Sequence, residues 1–98
     1  MNRHFCPYPA SRDILEKIEM KHGVKWQEIE EVFRGRIKLY RTHRQDQYGE
    51  TRYLVLGRTK GGRYLAVFFV AVPPDQAKVI TARTMDEKEK RWFGGQRK

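Results

Sequence analysis

The sequence predicts an α+β domain spanning residues 1–98: two amino-terminal helices, a four-stranded antiparallel sheet and a short carboxy-terminal helix. Three observations carry this expectation. Apolar residues recur at helical spacing as far as Gly35, and from Ile37 onward the spacing shifts to alternation. The turn Lys60-Gly61-Gly62 separates two apolar runs, as a tight hairpin does. At 98 residues there is room for one core only.

Ser11 stands where a helix cap belongs, and Ile14, Leu15, Ile18 and Met20 follow largely on one helical face. Lys21-His22-Gly23 ends that helix, with cations favoured by the negative end of the dipole and a glycine for the left-handed turn. A second helix starts near Lys25 and buries Trp26, Ile29, Val32 and Phe33, leaving Gln27, Glu28, Glu30 and Glu31 in water until Gly35 closes it. Ile37 and Leu39 alternate with Lys38 and Tyr40 in a first strand. The polar stretch Thr42–Glu50 reads as a hairpin loop. Thr51–Thr59 and Arg63–Val72 form the next two strands, and the second is apolar on both faces, so it belongs at the sheet's centre. Pro73-Pro74-Asp75 stops it, Val79–Arg83 is the fourth strand, and Thr84-Met85-Asp86-Glu87 opens a basic helix that ends at Gly94-Gly95. The sheet is expected as a meander with the helices on one face.

Charge narrows the function. The chain has 21 Lys plus Arg against 12 Asp plus Glu, a net charge of +9. Its first 35 residues are neutral, with six charges of each sign, whereas Arg36–Met85 holds ten cations and three acids. Such a local excess concentrates polyanions and speeds their encounter, which points to nucleic acid or an acidic protein. A basic surface kept for solubility gives the same composition. One cysteine, Cys6, and three histidines, His4, His22 and His43, offer no spacing for a structural zinc. No metal and no cofactor is expected. The longest apolar run, Tyr64–Val72, is about half of what a membrane-spanning helix requires. Without an apolar signal core in residues 1–11, the expected location is the cytoplasm.

Five short motifs occur in order: Lys21-His22-Gly23-Val24 followed by Trp26 and Glu31-Val32-Phe33; Glu50-x-Arg52-Tyr53; Gly57-Arg58-Thr59; Ile80-Thr81-Ala82-Arg83; and Glu89 with Arg91. Over about Ile18 to Phe93 the chain resembles the BrnT toxins of bacterial type II toxin–antitoxin systems. That resemblance implies a RelE-like fold and metal-independent RNA cleavage that inhibits translation and growth. It also implies neutralisation by a DNA-binding, BrnA-like antitoxin, in a hetero-oligomeric complex that binds operator DNA.

Cleaving RNA without a metal requires a base for the ribose 2′-hydroxyl, cations for the anionic phosphorane and an acid for the leaving 5′-oxygen. His22 suits proton transfer because an imidazole ordinarily titrates near neutrality. Arg58 and Arg83, fixed donor forks on a rigid sheet, suit transition-state stabilisation, with Lys21 assisting. Arg52, Arg63, His43 and Arg91 are the candidate RNA-binding side chains. Each has a plainer reading: Lys21-His22 as a helix end, His43 as a solvated loop residue, and Arg58 and Arg83 as strand cations held by Glu50, Asp75 or an antitoxin carboxylate. The alternative function is a non-catalytic basic module that binds RNA or a partner.

Departures from the family are specific. Ile14 and Ile18 stand where members often carry Lys and Asn, which makes the first helix more apolar. Residues 1–10, with Pro7 and Pro9, do not resemble the family's short opening strand. Phe93 replaces a frequent tyrosine and has no proton to donate.

Overall fold

The computed structural model describes residues 5–45 and 51–94, with side chains up to residue 42 and again from residue 51. In chain order the elements are β1 (Cys6–Pro9), α1 (Arg12–His22), α2 (Trp26–Arg34), β2 (Ile37–Gln45), β3 (Thr51–Arg58), β4 (Tyr64–Val72), β5 (Gln76–Thr84) and α3 (Glu87–Gly94). The strands lie in the order β1-β5-β4-β3-β2, with apolar β4 in the middle.

The expected four-stranded antiparallel sheet is corrected to a five-stranded mixed one, because residues 6–9 pair parallel to β5. Cys6 donates its N–H to the Asp75 carbonyl at 2.8 Å and Ala10 donates to Val79 at 3.0 Å. Pro7 and Pro9 alternate with these donors. Their ring nitrogens therefore fall on the open edge of the sheet, where no N–H is needed. Two prolines that argue against an inner strand are compatible with this edge one.

The helices also occupy both faces rather than one. On the first face, α1 and α2 cover Val55, Leu65, Val67, Phe69, Ala77, Val79 and Ala82, all at most 2% exposed, through Ile18, Ile29, Val32 and Phe33. Phe69 is the hub of this core: Phe5, Phe33 and Tyr53 ring it at centroid distances of 5.2, 5.6 and 5.7 Å. Ile14 packs against the same core and Ile18 is 2% exposed, so both apolar replacements in α1 are inward. Met20 is not; at 84% exposure it falls off the expected apolar face, a half-turn from Ile18. On the second face, Phe93 of α3 and Met85, in the connection from β5, pack with Leu54, Leu56 and Ala66.

Caps set the helix boundaries. Gly23 takes φ 64° and sends its N–H to the Glu19 carbonyl at 2.8 Å, a left-handed stop that glycine adopts without strain. Ser11 occupies the N-cap position of α1 without a side-chain cap bond. Glu28 accepts the Lys25 N–H at 3.1 Å, the returning half of a capping box. It is consequently half-buried instead of solvated. The stretch expected as a loop from Thr42 continues β2 as far as Gln45, and residues 46–50 lie outside the described residues.

Candidate functional site

The antiparallel register brings separated cations onto the second face. Arg58 pairs with Tyr64; Leu56 with Ala66, and Ala66 with Arg83; Arg52 with Val70, and Val70 with Lys78. Directly paired residues share a face, so Arg52, Arg58, Lys78 and Arg83 all project opposite α1 and α2. Lys78 and Arg83 are five positions apart and in a regular strand would point to opposite sides. An irregularity opposite Phe68 and Phe69 adds Ile80 to β5 and reverses the alternation between them.

Between the open end of this face and α3 lies a groove of about 1070 Å³. Among the described residues, Arg36, Lys38, Arg58, Lys60 and Lys90 line it together with Tyr64 and Phe93, and no carboxylate does. Its walls are well ordered by contacts. The Arg58 guanidinium carbon stands 5.6 Å from the centre of the Tyr64 ring, which meets Phe93 edge-on at 5.9 Å. Lys38 Nζ donates to the Trp92 carbonyl at 2.7 Å and so closes the last turn of α3. Glu31 accepts the backbone N–H of Lys60 at 3.1 Å. Five cations around an open groove favour a bound polyanion. By contrast, a hollow of about 430 Å³ at the other end of the sheet is lined by Phe5, Tyr53, Pro73, Pro74 and Asp75, with no cation among the described residues of its wall.

Arg83 does not line this groove. Its two terminal nitrogens reach Glu89 Oε1 at 2.7 Å and Oε2 at 2.8 Å, and its guanidinium covers the Phe68 ring at 5.5 Å. The Glu89 hydrogen bonds raise the Arg83 pKa above its ordinary value, against the opposing effect of burial. The partner is thus Glu89 and not Asp75, and Glu50 lies outside the described residues. Sequence spacing carries a signal for it: Asp86-x-x-Glu89 is a capping box, and Glu89 accepts the Asp86 N–H while Asp86 accepts that of Glu89, at 3.0 and 2.8 Å.

Lys21 and His22 are exposed at the end of α1, on the helical side of the sheet. They occupy the same end of the molecule as Arg58, since Arg63 in the β3–β4 turn donates to the Gly23 carbonyl at 2.9 Å. Arg63 itself is engaged, with Nη1 2.8 Å from Glu28 Oε1. Arg91 is exposed on α3, and Arg52 lies on the second face near its far end. The side chain of His43, on β2, is outside the described residues. The groove thus gathers Arg58 with Lys38, Lys60, Lys90 and Arg36, none of which but Arg58 is marked by a motif. Lys38 is legible from its alternation with Ile37 and Leu39; Lys60 and Lys90 carry no comparable signal.

The family model for the ribonuclease toxin BrnT of type II toxin–antitoxin systems matches residues 16–89. The chain belongs to the BrnT family. BrnT proteins are ribonuclease toxins, so an RNA target and an antitoxin partner come with membership. The crystal structure of the Brucella abortus ribonuclease toxin BrnT superposes with a TM-score of 0.61, covering 88% of this chain and 100% of that one at 18% identity, a likeness of fold. No curated protein sequence matches the chain. Among the described residues of this BrnT family member, no helix is long and apolar enough to cross a membrane, and no three His, Cys, Asp or Glu side chains are grouped to hold a metal.

Proposed function

We propose that this chain cleaves RNA by metal-independent attack of a ribose 2′-hydroxyl on the adjacent phosphate, and that the cationic groove is where the phosphate sits. The observation that carries this reading is the composition of the groove: among the described residues, five cations, one phenol and no carboxylate line it. Arg58 is the fixed fork at its wall, held over Tyr64, and stabilises the phosphorane as charge accumulates on its oxygens. Lys38 and Lys90 add charge from β2 and α3. Arg83, held by Glu89 outside the groove lining, is proposed as a second cation for the transition state. His22 is proposed as the proton-transfer group, assisted by Lys21, from the end of α1 nearest the β3–β4 turn. With Phe93 in place of a tyrosine, Tyr64 is the ring that carries a hydroxyl in the groove.

RNA cleavage of this kind stops translation and growth in the cytoplasm. A BrnA-like antitoxin with an acidic or helical segment over Arg58 and Arg83 would block the groove and neutralise part of the +9 charge, in a complex that binds operator DNA.

The test is incubation of the purified chain with a defined RNA in EDTA, beside His22→Ala and Arg58→Ala, with fragment ends mapped. Fragments ending in 2′,3′-cyclic phosphate, lost in both variants, are the expected result. RNA that stays intact while it binds with steep salt dependence supports the non-catalytic binding module instead.

A further inference from the structure

We propose that the antitoxin docks on the outer edge of β2, through an extended acidic segment that pairs with it and adds a further strand to the sheet. The partner itself comes with family membership. That docking also blocks cleavage rests on reading the groove as the RNA site.

The ladder shows which backbone groups are open. Thr59 donates its N–H to the Arg63 carbonyl at 2.8 Å across the β3–β4 turn, so odd-numbered residues of β3 turn N–H and C=O toward β4 and even-numbered ones toward β2. Thr42 Oγ1 agrees, donating to the Arg52 carbonyl at 2.9 Å. Leu56 and Leu54 therefore bond with Lys38 and Tyr40. Ile37, Leu39 and Arg41 point their N–H and C=O outward, where the sheet has no further strand among the described residues. At the opposite edge Pro7 and Pro9 take the outward positions of β1 and offer no donor to an added strand. No proline stands in β2, whose edge carries charge instead: Arg36, Lys38 and Arg41, with no acid in residues 36–45. Two copies paired along this edge would set these cations against each other, whereas an acidic strand meets them with opposite charge.

The side chains beside the edge select a protein. Ile37 and Leu39 pack against the α1–α2 core yet stay half-buried, and on the second face Tyr40 is half-buried against Trp92, itself 43% exposed. A strand laid alongside would extend the burial on both faces. RNA has no N–H and C=O groups at the repeat of about 6.8 Å that alternate residues of a strand present, and no aliphatic side chains for Ile37 and Leu39. An extended segment with apolar and acidic residues has both. Arg36, Ile37 and Lys38 also line the groove, so the added strand ends at its rim and joins docking to inhibition.

The experiment uses the full chain, alone and in complex with the antitoxin of its own operon, co-expressed and co-purified. Amide hydrogen exchange followed by NMR should find Leu39 and Arg41 fast in the chain alone, beside protected Lys38 and Tyr40, and slowed at least about a hundredfold in the complex. Leu39→Pro deletes an outward N–H where an edge strand tolerates proline; Leu39→Ala keeps the N–H and removes the same packing. Relative to Leu39→Ala, the proline variant should bind antitoxin at least about tenfold more weakly, with circular dichroism showing that it is folded. Should it fold poorly, exchange in the wild-type chain decides. Leu39 and Arg41 amides that stay fast in the complex, equal affinity of the two variants, or no complex with the wild type overturns the proposal. Protection of the same amides that grows with the concentration of the chain alone gives the edge to a second copy, and protection by uncleavable 2′-O-methyl RNA gives it to the substrate; either result also overturns it. Exchange and binding involve no cleavage, so failure of the nuclease reading shows only in the cleavage assay and leaves this result intact.

Discussion

Arg83 and Glu89 form a two-pronged ion pair between β5 and α3, and the same carboxylate closes the first turn of the helix. Nη1 and Nη2 of Arg83 meet Oε1 and Oε2 at 2.7 and 2.8 Å, while Oε1 also accepts the Asp86 N–H at 3.0 Å. Glu89 is 5% exposed. One side chain therefore anchors α3 to the sheet and fixes the plane of the Arg83 guanidinium over Phe68.

Replacing Glu89 by Ala leaves a guanidinium and a helix-end amide without their acceptor. The expected cost is about 2 kcal/mol, below that of a fully buried pair because a third of the Arg83 side chain is exposed. Urea denaturation measures it, and an unchanged midpoint refutes the anchoring role. The raised Arg83 pKa contributes stability that is complete below the unfolded-state value and lost only as pH climbs through the folded one. It follows that this pair adds no pH dependence in the neutral range.

Arg58→Ala should reduce RNA cleavage about a hundredfold with little change in stability, since the side chain is exposed and lies over Tyr64. Arg58→Lys keeps the charge and loses the fork, and should recover only part of the rate. Comparing kcat with the melting curve separates the two effects. Equal activity in the wild type and both variants would remove Arg58 from the site.

Arg63 ties the α1–α2 junction to the β3–β4 turn through Glu28 and the Gly23 carbonyl. Arg63→Ala should lower stability by about 1 kcal/mol, or roughly 5 °C in Tm for a chain of this size. If RNA affinity falls while Tm holds, Arg63 is an RNA contact and not a brace.

Two glycines are irreplaceable for different reasons. A Cβ at Gly57 would lie 2.6 Å from Val32 Cγ1, and Val32 is fully buried in α2, so Gly57→Ala should cost about 1–3 kcal/mol by overpacking. Nothing stands within 4 Å of a Cβ at Gly23, but φ 64° strains any alanine there by about 1 kcal/mol. Gly57→Ala paired with Val32→Ala should regain part of its loss; Gly23→Ala should gain nothing from any neighbour made smaller. Thermal melts of the double variants check both.

The helices, the central place of β4 and the turn at residues 60–62 were legible because period, caps and glycines are local properties of the chain. Ile29, Val32 and Phe33 announce their buried face within three turns of helix. β1 was not legible: its donors alternate with prolines, and only β5 beside it shows that the prolines face the open edge. Met20 misled because its apolar character says nothing of its angle about α1. Of the candidate site residues, Arg58 and Arg83 stood out as strand cations in short motifs, whereas Lys38, Lys60 and Lys90 were ordinary surface lysines until α3 closed over the second face.

By itself the sequence determined the helices, four of the strands, the excess of positive charge after Arg36 and the family. Tertiary structure alone decided which cations share a face. Strand alternation fixes a side only relative to neighbours on the same strand, so one extra residue at Ile80 was enough to bring Lys78 and Arg83 to the side of Arg52 and Arg58.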